Sequence, residues 1–224
     1  MLETIALLAL QGPPTALASS TSDTSFAADP LVRDESWFRR QEGAIGSAPY
    51  LGGHGLQTLL GDLTGDGFDD VPGDVDALVW SPRPGVGEVS PHDFLFSTRA
   101  STAQYEDGDL LRLAEGQGFV VEIAESVFLA AILPTGGSFD LDAATWIAAD
   151  RLAFSVASDL TGTVLGDVLD GDVLVLDRPT STVSRLYTEA QIQAFVDHAT
   201  GGTSAVGDVL SLSVYPPTGE LVFT

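Results

Sequence analysis

The stretch DVDALVW at residues 74–80 recurs as DLDAATW at residues 140–146, with Asp, Asp, Ala and Trp at the same spacing. The blocks that follow also correspond, DFLFS (93–97) with RLAFS (151–155), and EDGDLLRL (106–113) with LDGDVLVL (169–176). A third copy begins at GDVLSLSV (207–214) and runs into ELVFT at the C-terminus. Matching blocks in the same order indicate an internal repeat, with gaps that differ in length where surface loops take insertions.

Each copy is predicted to consist of short β-strands, because apolar runs of four or five residues alternate with Gly, Pro, Asp and Ser clusters. These runs are ALVW, FLFS, LLRL and FVVEI in the first copy, and AATWI, LAFSV, DVLVL and VSRLY in the second. The chain is therefore predicted to be all-β, with two four-strand repeats of about 66 residues and a partial third.

One or two short helices accompany the strands. Residues 188–199 predict a helix with Thr188 as N-cap and with Ile192, Phe195 and Val196 on one face. A second short helix is predicted within residues 122–132, EIAESVFLAAI.

A unit of about four strands resembles a β-propeller blade, but a propeller takes about four or more blades. Two arrangements stay open: the units pair as a sandwich or barrel, or several chains complete one another. Trp80 and Trp146 occupy equivalent places and are interpreted as core anchors, with ligand stacking as the alternative. Phe96 and Phe154 are also predicted to be core residues.

The predicted segments are a leader or signal-like segment with a linker (1–30), an N-terminal segment with a cation loop (31–73), repeat 1 (74–139), repeat 2 (140–207) and partial repeat 3 (208–224). The leader resembles a secretory signal peptide, because a short apolar run precedes Ala16-Leu17-Ala18. The alternative is an ordinary N-terminal strand or tail. No stretch approaches the about 20 apolar residues of a membrane-spanning helix.

Composition limits the partners. The chain has 32 acidic and 9 basic residues, no lysine, and a formal net charge of −23. Nucleic-acid binding requires many basic residues at phosphates, and an anionic membrane repels such a surface, so neither partner is predicted. Cysteine is absent, which excludes disulfides and thiolate metal sites.

The segment GDLTGDGFDD at residues 61–70 has the composition of a calcium loop. Calcium prefers six to eight oxygen ligands on a bending loop, and alternate residues of such a loop point inward. Counting from the first aspartate, the predicted ligands are Asp62, Thr64, Asp66, the backbone carbonyl of Phe68, and Asp70. Glycines at 65 and 67 permit the turn. The alternative is a cation-free Asp-Gly turn.

This block resembles the D-x-[DNT]-x-D-G-x-x-D calcium loop of the FG-GAP and VCBS repeats of integrin-like propellers and bacterial surface proteins. It also resembles the first half of a dockerin loop, although Gly73 stands where that family has a carboxylate. Asp74 or Asp76 would then complete the shell. Four further candidates stand just before strands in the two D-G-D triplets, Asp107, Asp109, Asp170 and Asp172; their alternative role is to open a turn.

No catalytic signature is present: the three histidines lack zinc-hydrolase spacing, and no nucleophile elbow, Walker loop or dinucleotide fingerprint occurs. Residues 74–224 resemble repeats of secreted bacterial proteins with C-terminal sorting signals, a resemblance that implies secretion and no activity. The prediction is a non-enzymatic, extracellular, calcium-binding β-repeat protein of the cell surface, with a structural or adhesive role.

One specific form of this prediction is self-assembly into filaments by strand complementation, because the third repeat is unfinished. An extracellular glycan or protein ligand is the adhesive version. The alternative from a different class is a carbohydrate-active hydrolase that uses paired aspartates.

Overall fold

The computed structural model describes residues 8–10, 15–19, 24–26, 29–32, 37–41, 48–51, 75–81, 90–99, 101–116, 118–133, 136–202, 205–215 and 220–223. Within these ranges the strands pair antiparallel throughout.

The first sheet lies in the N-terminal part of the chain. Its strands are, in spatial order, β1 (Leu8–Leu10), β2 (Thr15–Ser19), β5 (Trp37–Gln41) and β6 (Ala48–Leu51), and a separate hairpin joins β3 (Thr24–Phe26) to β4 (Asp29–Val32). Strands therefore occupy part of the segment predicted to be a leader and linker. The signal-like character of residues 1–30 stays a prediction.

The second sheet is a simple meander. Its strands are β7 (Val75–Trp80), β8 (Phe94–Thr98), β9 (Leu110–Leu113) and β10 (Phe119–Ile123), each hydrogen-bonded to the next. A short 3₁₀ helix, Pro91–Asp93, leads into β8, and helix α1 (Glu125–Ile132) follows β10. The four strands predicted for the first copy and the helix predicted within residues 122–132 are confirmed.

The third sheet has the order β11-β12-β15-β16 and carries an inserted hairpin. The strands are β11 (Leu141–Ala148), β12 (Arg151–Val156), β15 (Val173–Asp177) and β16 (Thr182–Tyr187), and the hairpin pairs β13 (Leu160–Thr163) with β14 (Gly166–Val168). Helix α2 (Glu189–Thr200) follows, and then a two-stranded sheet of β17 (Leu212–Tyr215) and β18 (Glu220–Phe223). The strands predicted from the second copy are confirmed.

Helix α2 begins and ends where the sequence predicts. Thr188 is the N-cap, and its side chain and that of Gln191 form a reciprocal capping box. Gly201 ends the helix in the left-handed region at φ 77°, which glycine adopts without steric penalty. Of the predicted apolar face, Ile192 is fully buried, whereas Phe195 is 54% exposed and packs edge-on against Tyr187.

The main core runs continuously between the second and third sheets. It includes Val79 and Leu95 from the second sheet and Leu152 and Leu174 from the third. Central strands such as β8 are buried at every residue, because both faces of the sheet are covered. The two sheets therefore share one hydrophobic core.

Aromatic residues join α1 to the third sheet. The Phe128 ring lies 5.6 Å from Phe139 and 5.0 Å from Phe154, edge-on in both cases. Phe96 and Phe154 are fully buried, as predicted. Trp80 and Trp146 are half-buried: Trp80 packs 5.0 Å from Phe94, and Trp146 packs against the main core beneath the Arg178 guanidinium.

The described residues form antiparallel sheets with two short helices, so the all-β prediction is confirmed at that level. No helix within the described ranges is long and apolar enough to cross a membrane.

Candidate functional site

The predicted calcium loop lies outside the described residues. This applies to Asp62, Thr64, Asp66, Phe68 and Asp70, and to the supplementary candidate Asp74. The loop therefore stays a prediction, and the site geometry comes from the other acidic residues.

The first D-G-D triplet, residues 107–109, closes a turn and caps a helix. Asp109 is buried, and its Oδ1 accepts the backbone N–H of Glu125, the first residue of α1, at 2.7 Å. Its Oδ2 accepts the N–H of Glu106 at 3.0 Å. A carboxylate at a helix N-terminus is favoured both by the unpaired N–H groups and by the helix dipole.

The second triplet, residues 170–172, has the same geometry. Asp172 is 2% exposed, with Oδ1 accepting the N–H of Glu189 at 2.8 Å and Oδ2 accepting the N–H of Leu169 at 3.2 Å. Arg185 adds an ion pair, with Nε 2.9 Å from Oδ2 of Asp172. The oxygens of Asp109 and Asp172 are thus engaged by backbone N–H groups, which is the turn-forming role that the sequence left open for them.

The middle glycine of each triplet lies where no Cβ fits. A Cβ on Gly108 would lie 2.6 Å from Cγ of Glu125, and one on Gly171 would lie 2.4 Å from Cγ of Glu189. Each glycine therefore lets its triplet pack directly against the start of the following helix and against the backbone that leads into the next sheet.

The first triplet also contributes to an acidic cluster. One carboxylate oxygen each from Glu106, Asp107 and Glu125 lies within 4.8 Å of the others, a spacing that permits a metal ion. Glu125 is buried and its Oε1 accepts the N–H of Phe139 at 3.0 Å. Burial raises the pKa of Glu125, and although the Phe139 N–H opposes this, the charges of Asp107 and Glu106 add to the rise. This is the one three-carboxylate group of that spacing among the described residues.

In the described part of the chain, the corresponding acidic residues beside the third sheet do not form a three-carboxylate group of this spacing. Asp170 is half-buried, and its backbone N–H binds Oδ1 of Asp159 at 3.0 Å. Burial raises the pKa of Glu189, and the charge of Asp170 adds to that rise.

A second group of carboxylates lies in or just before the strands that begin successive sheets. Asp142 in β11 is 5% exposed, and its carboxyl group is within hydrogen-bonding distance of that of Asp208, which precedes β17. Asp76 in β7 is in the same relation to Asp140, which precedes β11. We call Asp76 and Asp140 the first junction pair, and Asp142 and Asp208 the second junction pair.

Burial dominates the electrostatics of both pairs. It raises the pKa of Asp142 to about 8, with the charge of Asp208 acting in the same direction. It raises the pKa of Asp140 to about 6, where Asp107 adds and Arg99 opposes. The pKa of Asp208 is raised too, again chiefly by burial. Burial and the neighbouring negative charges therefore favour a proton held by the pair of Asp142 and Asp208 over two ionised carboxylates.

Arg99 supplies positive charge to the first junction pair. Its Nε lies 3.3 Å from Oδ1 of the buried Asp76, while its side chain is 54% exposed. Asp76, predicted as a supplementary cation ligand, thus pairs with a cationic side chain of the same chain.

Buried serines hold each junction. Ser97 in β8 donates its hydroxyl to the carbonyl of Leu141 at 3.0 Å, and Ser155 in β12 donates to the carbonyl of Val209 at 2.8 Å. Each bond ties the second strand of one sheet to the backbone that begins the next. The junction carboxylates are therefore fixed by the fold.

Asp140, Asp142 and Asp208 are not among the residues that the sequence patterns predicted as site residues. The signal was present, since the recurring D-x-D places a charged residue inside an otherwise apolar strand pattern. A buried charge requires a partner, and that requirement identifies these residues once the strand is recognised.

Neither of the two histidines that the structure describes belongs to these acidic groups. His92 shares a hydrogen bond between Nδ1 and the carbonyl of Leu113 at 3.0 Å, His198 is exposed, and His54 lies outside the described residues. Comparison with known proteins adds no assignment, because neither a protein-family model nor a curated protein matches this chain.

Proposed function

We propose that this chain is a secreted, calcium-binding β-repeat protein with a structural or adhesive role at the cell surface. The observation that carries the proposal is the concentration of carboxylates at two places: Asp142 and Asp208 meet where β11 lies near the segment before β17, and Glu106, Asp107 and Glu125 converge at the start of α1. Calcium binds such oxygen-rich sites and stabilises a fold by mass action, because the unfolded chain does not assemble them. The net charge of −23 makes a cation the natural ligand.

The repeat organisation belongs to the same proposal. The assigned units are 74–139, 140–207 and a partial 208–224, arranged as propeller blades or as a sandwich. Support comes from contacts that recur in the second and third sheets: the D-G-D cap on the following helix, and the serine bond to the next strand. Packing of β7 against β11, and of β11 against β17, is consistent with blades placed side by side.

The loop at 62–70 is the primary calcium site in this proposal, by its resemblance to FG-GAP and VCBS loops. We expect Asp66→Ala to lower the melting temperature only when calcium is present, by about 5–10 °C if calcium is near a hundredfold above its dissociation constant. The measurement is a melting curve in millimolar calcium and in EGTA.

The loop offers its own control for that experiment. Asp69 carries the same charge but occupies the eighth position, which does not point toward the ion, so Asp69→Ala is expected to retain the calcium effect. Equal destabilisation by Asp66→Ala with and without calcium would assign the loop to a turn.

Self-assembly is the structural version of the proposed role. Val120 and Val121 are 53% and 37% exposed on β10, which is the edge strand of the second sheet. Exposed apolar edge strands pair readily with strands of another chain. A second copy of this chain is the proposed partner.

We expect Val120→Lys to abolish the concentration-dependent rise in light scattering, because a charged edge strand resists pairing. Val164→Lys is the matched control, since Val164 is 59% exposed but lies in the β13–β14 turn. A wild-type chain that stays monomeric at high concentration in calcium contradicts the assembly proposal.

The alternative is a carbohydrate-active hydrolase with paired aspartates. The carboxyl groups of glycosidases stand about 5 Å or more apart, whereas those of Asp142 and Asp208 are at hydrogen-bonding distance and Asp142 is buried. This pair therefore does not favour the alternative. Turnover on a glycan panel, lost on mutation of one carboxylate pair, is the result that would establish it.

A further inference from the structure

We propose that a divalent cation of the calcium type binds between Asp142 and Asp208 and joins β11 to the segment that leads into β17. This pair shares no residue with the loop at 62–70 or with the two D-G-D triplets. It deepens the proposed function, because it names where calcium would act on the fold.

The hydrogen bonding of the two carboxylates is incomplete. Oδ2 of Asp142 and Oδ1 of Asp208 are buried, and no N–H or O–H group of the described residues donates to either. Asp142 is 5% exposed and Asp208 is half-buried, so the two carboxylates have limited access to solvent. A buried carboxylate without a partner is costly, and this cost is removed by a proton shared between the two groups or by a cation.

Neighbouring carboxylates place further negative charge around the pair. Asp76 and Asp140 act on Asp142, and Asp170 acts on Asp208, all in the direction that disfavours further negative charge. One shared proton neutralises a single carboxylate and leaves the others uncompensated. A divalent ion provides two positive charges and interacts with several oxygens at once, which suits this field better.

The two junctions differ in the residue that stands two positions after the buried serine. Ser97 and Ser155 make the same bond to the next strand, and two residues beyond them stand Arg99 and Ala157, respectively. At the first junction, Arg99 pairs with Asp76. At the second junction, alanine occupies the corresponding position, and the effect of Arg99 on Asp208 is the weakest of those acting on that carboxyl group.

Within the described ranges the carboxylate pair therefore occurs twice, with an arginine in ion-pair contact at the first junction and none in such contact at the second. Among the described residues no guanidinium forms an ion pair with Asp142 or Asp208, so the compensating cation comes from the solvent. The ion would pull two segments together that otherwise repel, and the Ser155 bond keeps them in register.

The test is calcium titration of the full chain by calorimetry, with melting curves in calcium and in EGTA. Asp142→Asn is expected to lose about one bound calcium per chain, because the amide keeps the shape and can donate to Asp208 but supplies no second charge. Asp150→Asn is the control, since Asp150 is exposed in the turn between β11 and β12.

A second variant guards against misfolding of the first. Ala157→Arg places a guanidinium where the first junction has one, and it is expected to make the melting temperature less dependent on calcium while raising it in EGTA. Circular dichroism establishes that both variants keep the sheets.

The outcomes separate this inference from the proposed function. Unchanged calcium stoichiometry in Asp142→Asn overturns the inference and leaves a shared proton, even if Asp66→Ala loses calcium. Loss in Asp142→Asn with no loss in Asp66→Ala supports the junction site and removes the loop. A wild-type chain that binds no calcium overturns both.

Discussion

Replacing Asp172 with alanine is expected to lower the free energy of unfolding by about 3–5 kcal/mol, equally in calcium and in EGTA. The substitution removes the acceptor for the backbone N–H groups of Leu169 and Glu189 and leaves Arg185 without its carboxylate. Buried donors without acceptors cost about 1–3 kcal/mol each, and the two N–H groups here are partly buried. Loss of the cap also weakens the start of α2. Urea denaturation at neutral pH measures the change.

Asp170 in the same triplet is the matched control. It is half-buried, and its negative charge raises the pKa of Glu189, so Asp170→Ala relieves repulsion in EGTA and is expected to change stability by less than about 0.5 kcal/mol. A destabilisation by Asp172→Ala that is much larger in calcium than in EGTA contradicts the structural role and makes the triplet a cation site.

Replacing Phe154 with alanine is expected to destabilise the protein by about 3–5 kcal/mol. Phe154 is fully buried in β12, and its ring contacts Phe128 of α1, so the cavity would open between the two sheets. For a chain of this length the melting temperature is expected to fall by about 6–20 °C. Calorimetry should still show a single transition, because the core is continuous across both sheets.

Phe195→Ala is the control for that experiment. It deletes the same atoms from a side chain that is 54% exposed on α2, so the loss is expected to stay below about 1 kcal/mol. If Phe154→Ala separates the unfolding of the two sheets into two transitions, the shared core does not couple them.

Most of the strand and helix pattern in residues 75–215 follows from local sequence. Apolar runs bounded by Gly, Pro and Asp become strands because a short run buried on both faces has few other ways to satisfy its backbone. The capping box of Thr188 and the glycine at 201 define α2 with local chemistry alone. These features involve neighbours within a few residues, so a pattern along the chain contains them.

The roles of the aspartates depended on tertiary structure. Asp109 and Asp107 belong to one triplet, yet one caps a helix and the other joins an acidic cluster, because α1, which follows β9 and β10 in the chain, lies against the triplet. Spacing alone treats them alike. The helix start, some sixteen residues later, decides which oxygen meets an N–H group.

The sequence by itself determined that the chain is built of short strands, repeats its D-x-D pattern and lacks the basic residues for polyanion binding. Only the tertiary structure decided that Asp142 meets Asp208 and that Asp76 meets Asp140. The physical reason is that burial and proximity set the charge state of a carboxyl group, and both arise when one sheet packs beside the next. A pair separated by more than sixty residues leaves no local trace of its contact.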